Sequence, residues 1–214
     1  MTWPILDALI IGGGPAGLAV ATGLARQLYK AVIFDNRLYR NSKADHMHNV
    51  LGWDHQNPAA LRAKAREDLL GRYDTIKVES ATIREIRSMT DGTFQGVDDL
   101  GRIWAGRKVV LATGVQDIFP DIPGFEACWG RGMSANPELS IHISWMARRF
   151  ADTVVFYTNG SLETANQLKL ALEKDKDAGS GRIKVESRKV RDLQMGIRFA
   201  SEVVVTFEDG TRLI

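Results

Sequence analysis

The stretch Asp7-Ala8-Leu9-Ile10-Ile11-Gly12-Gly13-Gly14-Pro15-Ala16-Gly17 carries an apolar run directly into a glycine turn and then into a helix start. The run reads as a strand buried on both faces. In the spacing Gly12-x-Gly14-x-x-Gly17 each glycine has its own use: a tight turn, a close backbone approach to phosphate oxygens, and close packing of the helix on the sheet. The helix start offers unpaired N–H groups and partial positive charge to an anion. The expected ligand of this turn is a pyrophosphate.

Working outward, residues 16–29 read as a helix, with Ala16, Val20, Leu24 and Leu28 repeating at i+4 beside a small stripe of Gly17, Ala21 and Ala25. Ala31 to Phe34 is a second short strand, and it ends in Asp35, eighteen residues beyond Gly17. There a carboxylate can accept hydrogen bonds from an adenosine ribose. A polar and aromatic loop follows, from Arg37-Leu38-Tyr39-Arg40-Asn41 through His46 to His55, and it holds three of the four histidines. Without a cysteine it is a poor metal site, so no metal is expected, and its place after the second strand suits a loop lying against a bound cofactor. Asn57 and Pro58 open a helix that stops near Gly71.

Ile76–Val78 and Ala81–Ile86 have strand character, and Asp91-Gly92 marks a tight turn toward Thr93-Phe94. With Ile103-Trp104 and Lys108–Ala112 these make a three-strand meander, where a simple NAD domain would continue alternating helices and strands. The strand ending Ala112-Thr113-Gly114 provides a second turn near the ligand. Pro120 and Pro123 mark a linker. Beyond it, Leu139, Ile143, Met146, Ala147 and Phe150 share one face of a helix, and a strand runs from Thr153 to Tyr157.

Composition bounds the function. The chain has 214 residues, 44% apolar and 25% charged, with a net charge of +2. Scattered, balanced charge argues against nucleic acid or an anionic membrane as partner. The apolar N-terminal run lacks the basic flank of a signal peptide, and no run approaches a membrane span, so a cytoplasmic protein is expected. The single cysteine, Cys128, excludes a disulfide framework and a Cys-x-x-Cys redox pair within the chain.

Gly12–Gly17, Asp35, the meander and Ala112-Thr113-Gly114 resemble the FAD half of a two-dinucleotide flavoprotein. The stretches His46–His55 and Phe125–Gly132 are similar to the fungal thioredoxin-reductase-like enzymes that oxidise dithiols in epidithiodiketopiperazine toxin clusters. The likeness returns at Thr153–Gly160, Gln167–Lys169 and Phe207–Gly210. It implies an α/β fold: a Rossmann-like, three-layer FAD-binding domain with a β-meander over residues 1–121, then a truncated nucleotide-binding-like α/β domain over 122–214. It also implies FAD held by Gly12, Gly13, Gly14, Pro15, Ala16 and Gly17 at the pyrophosphate. Phe34, Asp35, Asn36, Arg37, Leu38 and Tyr39 would lie at the ribose. His48, Asn49 and Ala112 would lie toward the flavin, and Ala81, Thr82 and Ile83 near the adenine.

The chain departs from this pattern in three ways. The family's Cys-x-x-Cys pair follows Gly132, where this chain reads Met133-Ser134-Ala135-Asn136-Pro137-Glu138; no glycine occurs between Gly132 and Gly160 to form a second fingerprint; and the family's further FAD-domain strands do not follow Asp209-Gly210 in the sequence given. An open sheet edge would then call for a homodimer partner or another chain. Three functions remain open. One is an FAD-dependent oxidoreductase acting on a small secondary metabolite without dithiol chemistry of its own, with His46 or His48 moving the proton and electrons passing through flavin to oxygen. The others are a non-redox, cyclase-like helper that keeps the fold, and an NAD(P)-dependent dehydrogenase.

Overall fold

The computed structural model describes residues 4–129, 137–173, 182–198 and 202–214. By internal packing the chain divides into two units, Met1–Asp117 and Ile118–Ile214.

In the first unit, strand β1 (Leu6–Ile11) runs into helix α1 (Pro15–Ala25), and β2 (Ala31–Phe34) leads through a 3-10 turn at Arg40–Lys43 to α2 (Pro58–Arg72). Four further strands follow: β3 (Ile76–Glu79), β4 (Ile83–Ser88), β5 (Phe94–Asp98) and β6 (Ile103–Leu111). They form one six-stranded sheet in the order β3-β2-β1-β6-β5-β4. β3, β2, β1 and β6 are parallel, and β6, β5 and β4 are the antiparallel meander.

Alternation along the parallel strands sends side chains to two cores. Ala8, Ile10, Ala31 and Ile33 pack with Leu18, Ala21, Ala25 and Leu69 of the helices. Leu9, Val32 and Phe34 face the other way and meet Trp104 and Ala81. Trp104 lies on β6 and packs edge-on to Phe34 at 5.2 Å, so the meander covers the face opposite the helices. Gly106 makes room there, since a Cβ on it would sit 2.7 Å from Leu9 Cγ. The result is three layers: helices, parallel sheet and meander. At the outer edge β4 exposes Arg84, Glu85 and Arg87, charges of the kind that discourage edge pairing.

Two details of α1 differ from the periodicity. Its buried residues are Gly17, Leu18, Ala21 and Ala25, whereas Ala16, Val20 and Leu28 are exposed. Small side chains win the sheet-facing side because they let the helix approach closely. The helix also ends at Ala25 rather than near Tyr29. Leu28 adopts a left-handed φ of 62°, with its N–H bonded to Ala25 O and the Tyr29 N–H to Leu24 O. This is a Schellman closure with leucine where glycine is usual.

One clasp holds the meander. The buried Asp98 carboxylate accepts from the Trp104 indole at 3.0 Å, the amides of Leu100 and Arg102, and the Arg102 guanidinium at 2.7 Å. Arg102 also reaches Glu79 at 3.1 Å. Burial opposes ionisation of Asp98, but these donors outweigh it and hold its pKa below the usual value.

In the second unit a helical turn α3 (Phe125–Cys128) precedes α4 (Pro137–Ala147). Then β7 (Val154–Tyr157), α5 (Leu162–Glu173) and β8 (Ile183–Glu186) form a parallel β-α-β crossover. β9 (Val190–Met195), β10 (Val203–Phe207) and β11 (Arg212–Leu213) form an antiparallel sheet. Its core joins Phe125 and Cys128 to Val190, Leu193, Val205 and Phe207. The apolar face expected on α4 is corrected: among its described side chains Ser140 and Ser144 are buried, Ile143 and Ala147 are half-buried, and Trp145 and Met146, with Phe150 beyond the helix, are exposed. The helix stops at Ala147, so Phe150 falls in the turn beyond it. The side chain of Leu139 lies outside the described residues, as do residues 133–136, where the family's cysteine pair would fall.

Two measurements follow. Replacing Leu28, which is 77% exposed, by glycine removes left-handed strain and should raise unfolding free energy by about 1 kcal/mol in urea titrations. Asp98→Asn should lose about 1–3 kcal/mol at neutral pH. Because the folded pKa is lowered, this stabilisation is full above the ordinary value of 3.8 and is lost as pH falls through the folded value. Wild type and variant should therefore converge in acid.

Candidate dinucleotide site

β1 leads to β2 and β3 on one side and is flanked by β6 on the other. The glycine turn after β1 therefore sits at the point where strand order reverses, the usual crevice for ligands in such sheets. Its backbone is held from both sides. Gly12 N–H donates to Phe34 O at 2.9 Å, and Ala112 N–H donates to Ile11 O at 2.8 Å.

Each glycine meets a different obstacle. Gly12 has φ 118°, and a Cβ there would overlap the carbonyl oxygen of Ala112. A Cβ on Gly17 would overlap the carbonyl oxygen of Gly12, which is the close helix packing the motif calls for. Gly14 differs: its φ is −75°, and beyond its two chain neighbours nothing lies within 4 Å of where its Cβ would be. It caps α1 without a side-chain hydrogen bond, Pro15 follows, and the first turn carries no acidic residue. This open, uncapped helix start fits an anionic pyrophosphate. Gly13, a variable position in the motif, is also closed, because a Cβ on it would strike the carboxyl group of Asp35.

The acid after β2 is buried, at 1% exposure. Its Oδ1 accepts from the Arg37 amide at 2.9 Å, and its Oδ2 accepts from Tyr39 Oη at 2.7 Å and from the Arg66 guanidinium. Burial works against the charge on Asp35, yet the bonds from Tyr39, the Arg37 amide and Arg66 more than offset it and hold the pKa below the usual range. Burial, and then the bond to Asp35, push the Tyr39 phenol up, so it remains a donor.

Around this carboxylate the loop after β2 is fastened. Arg37 takes φ 61° and its side chain reaches Ser80 Oγ at 3.2 Å. Arg62, on α2, lies 4.0 Å over the Tyr39 ring and donates to Asn41 Oδ1 at 2.7 Å. Asn36 Oδ1 accepts from the Leu38 amide, while Leu38 is itself 82% exposed. Arg40 makes two 2.9 Å bonds to Asp117, joining the loops after β2 and β6 across the strand-order reversal. Phe34 turns its side chain away, into the meander-side core.

The histidine loop is knotted on itself. Met47 N–H donates to Gln56 O and His55 N–H to Met47 O, both at 2.8 Å, and the Asn49 amide donates to Asp54 Oδ1. Asn49, Gly52 and His55 all have positive φ. His46 and His48 are exposed, and His48 stands edge-on to His55 with ring centres 4.7 Å apart. Among the described residues no cluster of His, Cys, Asp or Glu is placed to hold a metal. Near the adenine position, Ala81 is core, and both backbone groups of Thr82 pair with Asp99.

Sequence reading missed Arg62 and Arg66. Their signal is the i,i+4 spacing on α2, on the side that also carries Pro58 and Leu69. In the second unit Arg188 pairs with Glu186 at 2.8 Å and Asp209 at 3.2 Å, and lies over Phe207. Those pairings use the charge within the fold.

The glycine geometry separates two variants that the motif alone would rank the other way. Gly13→Ala should cost about 1–3 kcal/mol of stability through forced overlap with Asp35. Gly14→Ala should stay within about 0.5 kcal/mol of wild type. Thermal and urea unfolding of the two proteins checks the order.

Residues 6–155 match the model of the pyridine nucleotide-disulphide oxidoreductases. The chain is 42% identical over 200 residues to thioredoxin reductase aclD of Aspergillus oryzae, covering 82% of this chain and 63% of that one. It is 35% identical over 234 residues to thioredoxin reductase tcpT of Claviceps purpurea, covering 98% and 71%. An oxidoreductase from Agrobacterium tumefaciens is similar in structure with TM-score 0.80 and 27% identity, over 99% of this chain and 72% of that one. Thioredoxin reductase from Streptococcus pyogenes shares the fold, with TM-score 0.78 and 18% identity over 98% and 73%. The chain thus spans less than two thirds of the length of the first relative. With the family's glycine turn at the strand-order reversal and its sequence pattern across both units, the chain belongs to the pyridine nucleotide-disulphide oxidoreductase family.

Proposed function

We propose that this chain is an FAD-dependent, thioredoxin-reductase-like oxidoreductase acting on a small molecule of fungal secondary metabolism. The observation that carries the reading is the glycine turn: three of its glycines are closed by backbone or carboxylate, and Gly14 alone stands open at the uncapped start of α1. Gly12–Gly17 would hold the pyrophosphate, and Asn49 and Ala112 the flavin side. The family implies a flavin, and the meander favours FAD over a nicotinamide dinucleotide. Bound there, FAD would supply two-electron redox chemistry with the small-molecule substrate.

Dithiol exchange by this chain is disfavoured on chemical grounds. An intramolecular disulfide needs two sulfurs, and the sequence has one cysteine. That thiol is 0% exposed within a cluster of Phe119, Phe125 and Trp129. Proton transfer at the substrate falls to His46 or His48, which stand exposed on the loop after β2.

The test is direct. The purified protein should be yellow, or should become so with FAD, and calorimetry should show saturable FAD binding that Gly14→Ala weakens. A colourless protein without FAD affinity overturns the proposal, and saturable NADH binding in its place favours a dehydrogenase.

A further inference from the structure

We infer that Asp35 is a positioning residue that clamps the glycine turn to the loop after β2, and that it does not hold the ribose. An acid at the end of the second strand is ordinarily where a ribose hydroxyl donates. Here that carboxylate is out of reach. A carboxylate offers about four acceptor sites on its two oxygens. Three are filled by the Arg37 amide, Tyr39 Oη and the Arg66 guanidinium. Gly13 packs directly against the carboxyl group, which is why a Cβ there would overlap it. With Asp35 1% exposed, a sugar hydroxyl has no approach to either oxygen.

The same contacts give the carboxylate a different task. It ties together three pieces of chain that meet only through tertiary structure: the glycine turn through Gly13, the loop through the Arg37 amide and Tyr39, and α2 through Arg66. Arg62 extends the clamp by lying over Tyr39 and bonding Asn41. Arg66, 27% exposed at its side chain, is the only charged partner of Asp35 among the ion pairs of the described residues. Burying a carboxylate costs desolvation, which the bond and charge of Arg66 help to offset, and loss of either partner leaves the other without that bond. Arg66 therefore becomes a determinant of dinucleotide affinity that acts through Asp35.

The inference rests on the FAD reading for its ligand but has a readout independent of it. Asp35→Asn, Arg66→Met and the double variant are compared by urea unfolding. The clamp predicts strong coupling, with the double variant little worse than either single one; additive losses overturn it. Next, FAD affinity is measured by calorimetry. Arg66→Met should weaken it about tenfold, as Asp35→Asn does, with partial recovery in Arg66→Lys; unchanged affinity in Arg66→Met overturns the inference. Finally, ADP is compared with 2′-deoxy-ADP and 3′-deoxy-ADP as competitors of FAD on the wild-type protein, which needs no variant to fold. A hydroxyl donating to a carboxylate is worth about 10- to 100-fold in affinity. The three competitors should agree within about twofold. A loss of tenfold or more for a deoxy competitor that disappears in Asp35→Asn makes Asp35 the ribose acceptor and overturns the inference. If FAD fails to bind wild type, the functional proposal falls while the unfolding cycle still decides the clamp.

Discussion

The close approach of Gly13 to the Asp35 carboxyl group is the constraint on which the first unit turns. It exists because β1 and β2 are adjacent and parallel, with Ile11 opposite Phe34, so the residues just beyond both strands emerge side by side. Any side chain at residue 13 would separate them. Once the two are in contact, the acid is shielded from water and must find donors inside the protein. Arg66, Tyr39 and the Arg37 amide meet that need, and α2 and the loop take their positions accordingly. Asp98 repeats the solution at the meander, where a buried carboxylate gathers an indole, two amides and a guanidinium. Both acids are held below their usual pKa although burial opposes their charge.

These polar clasps work because the apolar packing leaves them no freedom. Leu9, Ile10, Val32 and Ile33 are at most 1% exposed and fill two cores on opposite faces of the same strands. Burial at about 25 cal/mol per Å² of apolar surface supplies the main driving force for the three layers. The clasps then select one arrangement of the loops around the turn. The Arg40–Asp117 pair is of another kind: at 59% and 21% side-chain exposure it contributes little stability, and its interest is that it spans the site.

Among the described residues of the second unit, one arginine and the cysteine are taken up in packing. Its Arg188 lies between Glu186 and Asp209 over Phe207, and its one cysteine is sealed among aromatic rings. An aromatic cluster of this kind stabilises a small thiol as an apolar group, and chemistry that needs a thiolate is disfavoured there.

Local pattern determined much of this protein. The glycine turn, the strands Ala31–Phe34 and Val154–Tyr157, the Asn57-Pro58 helix start and the meander all follow from turn chemistry and periodicity over a few residues. These signals are short-range, and propensity acts at that range. What only tertiary structure decided lies at longer separation. Which face of α1 is buried depended on how closely it could approach the sheet, and the small stripe won over Ala16, Val20 and Leu28. Whether Asp35 faces solvent depended on Arg66, thirty-one residues away, and on the missing Cβ of Gly13. A sequence motif names the residues near a ligand, but it does not say which of their atoms have already been taken by the protein. That depends on the contacts made when distant segments pack, because a carboxylate has a limited number of lone pairs and the fold reaches them first.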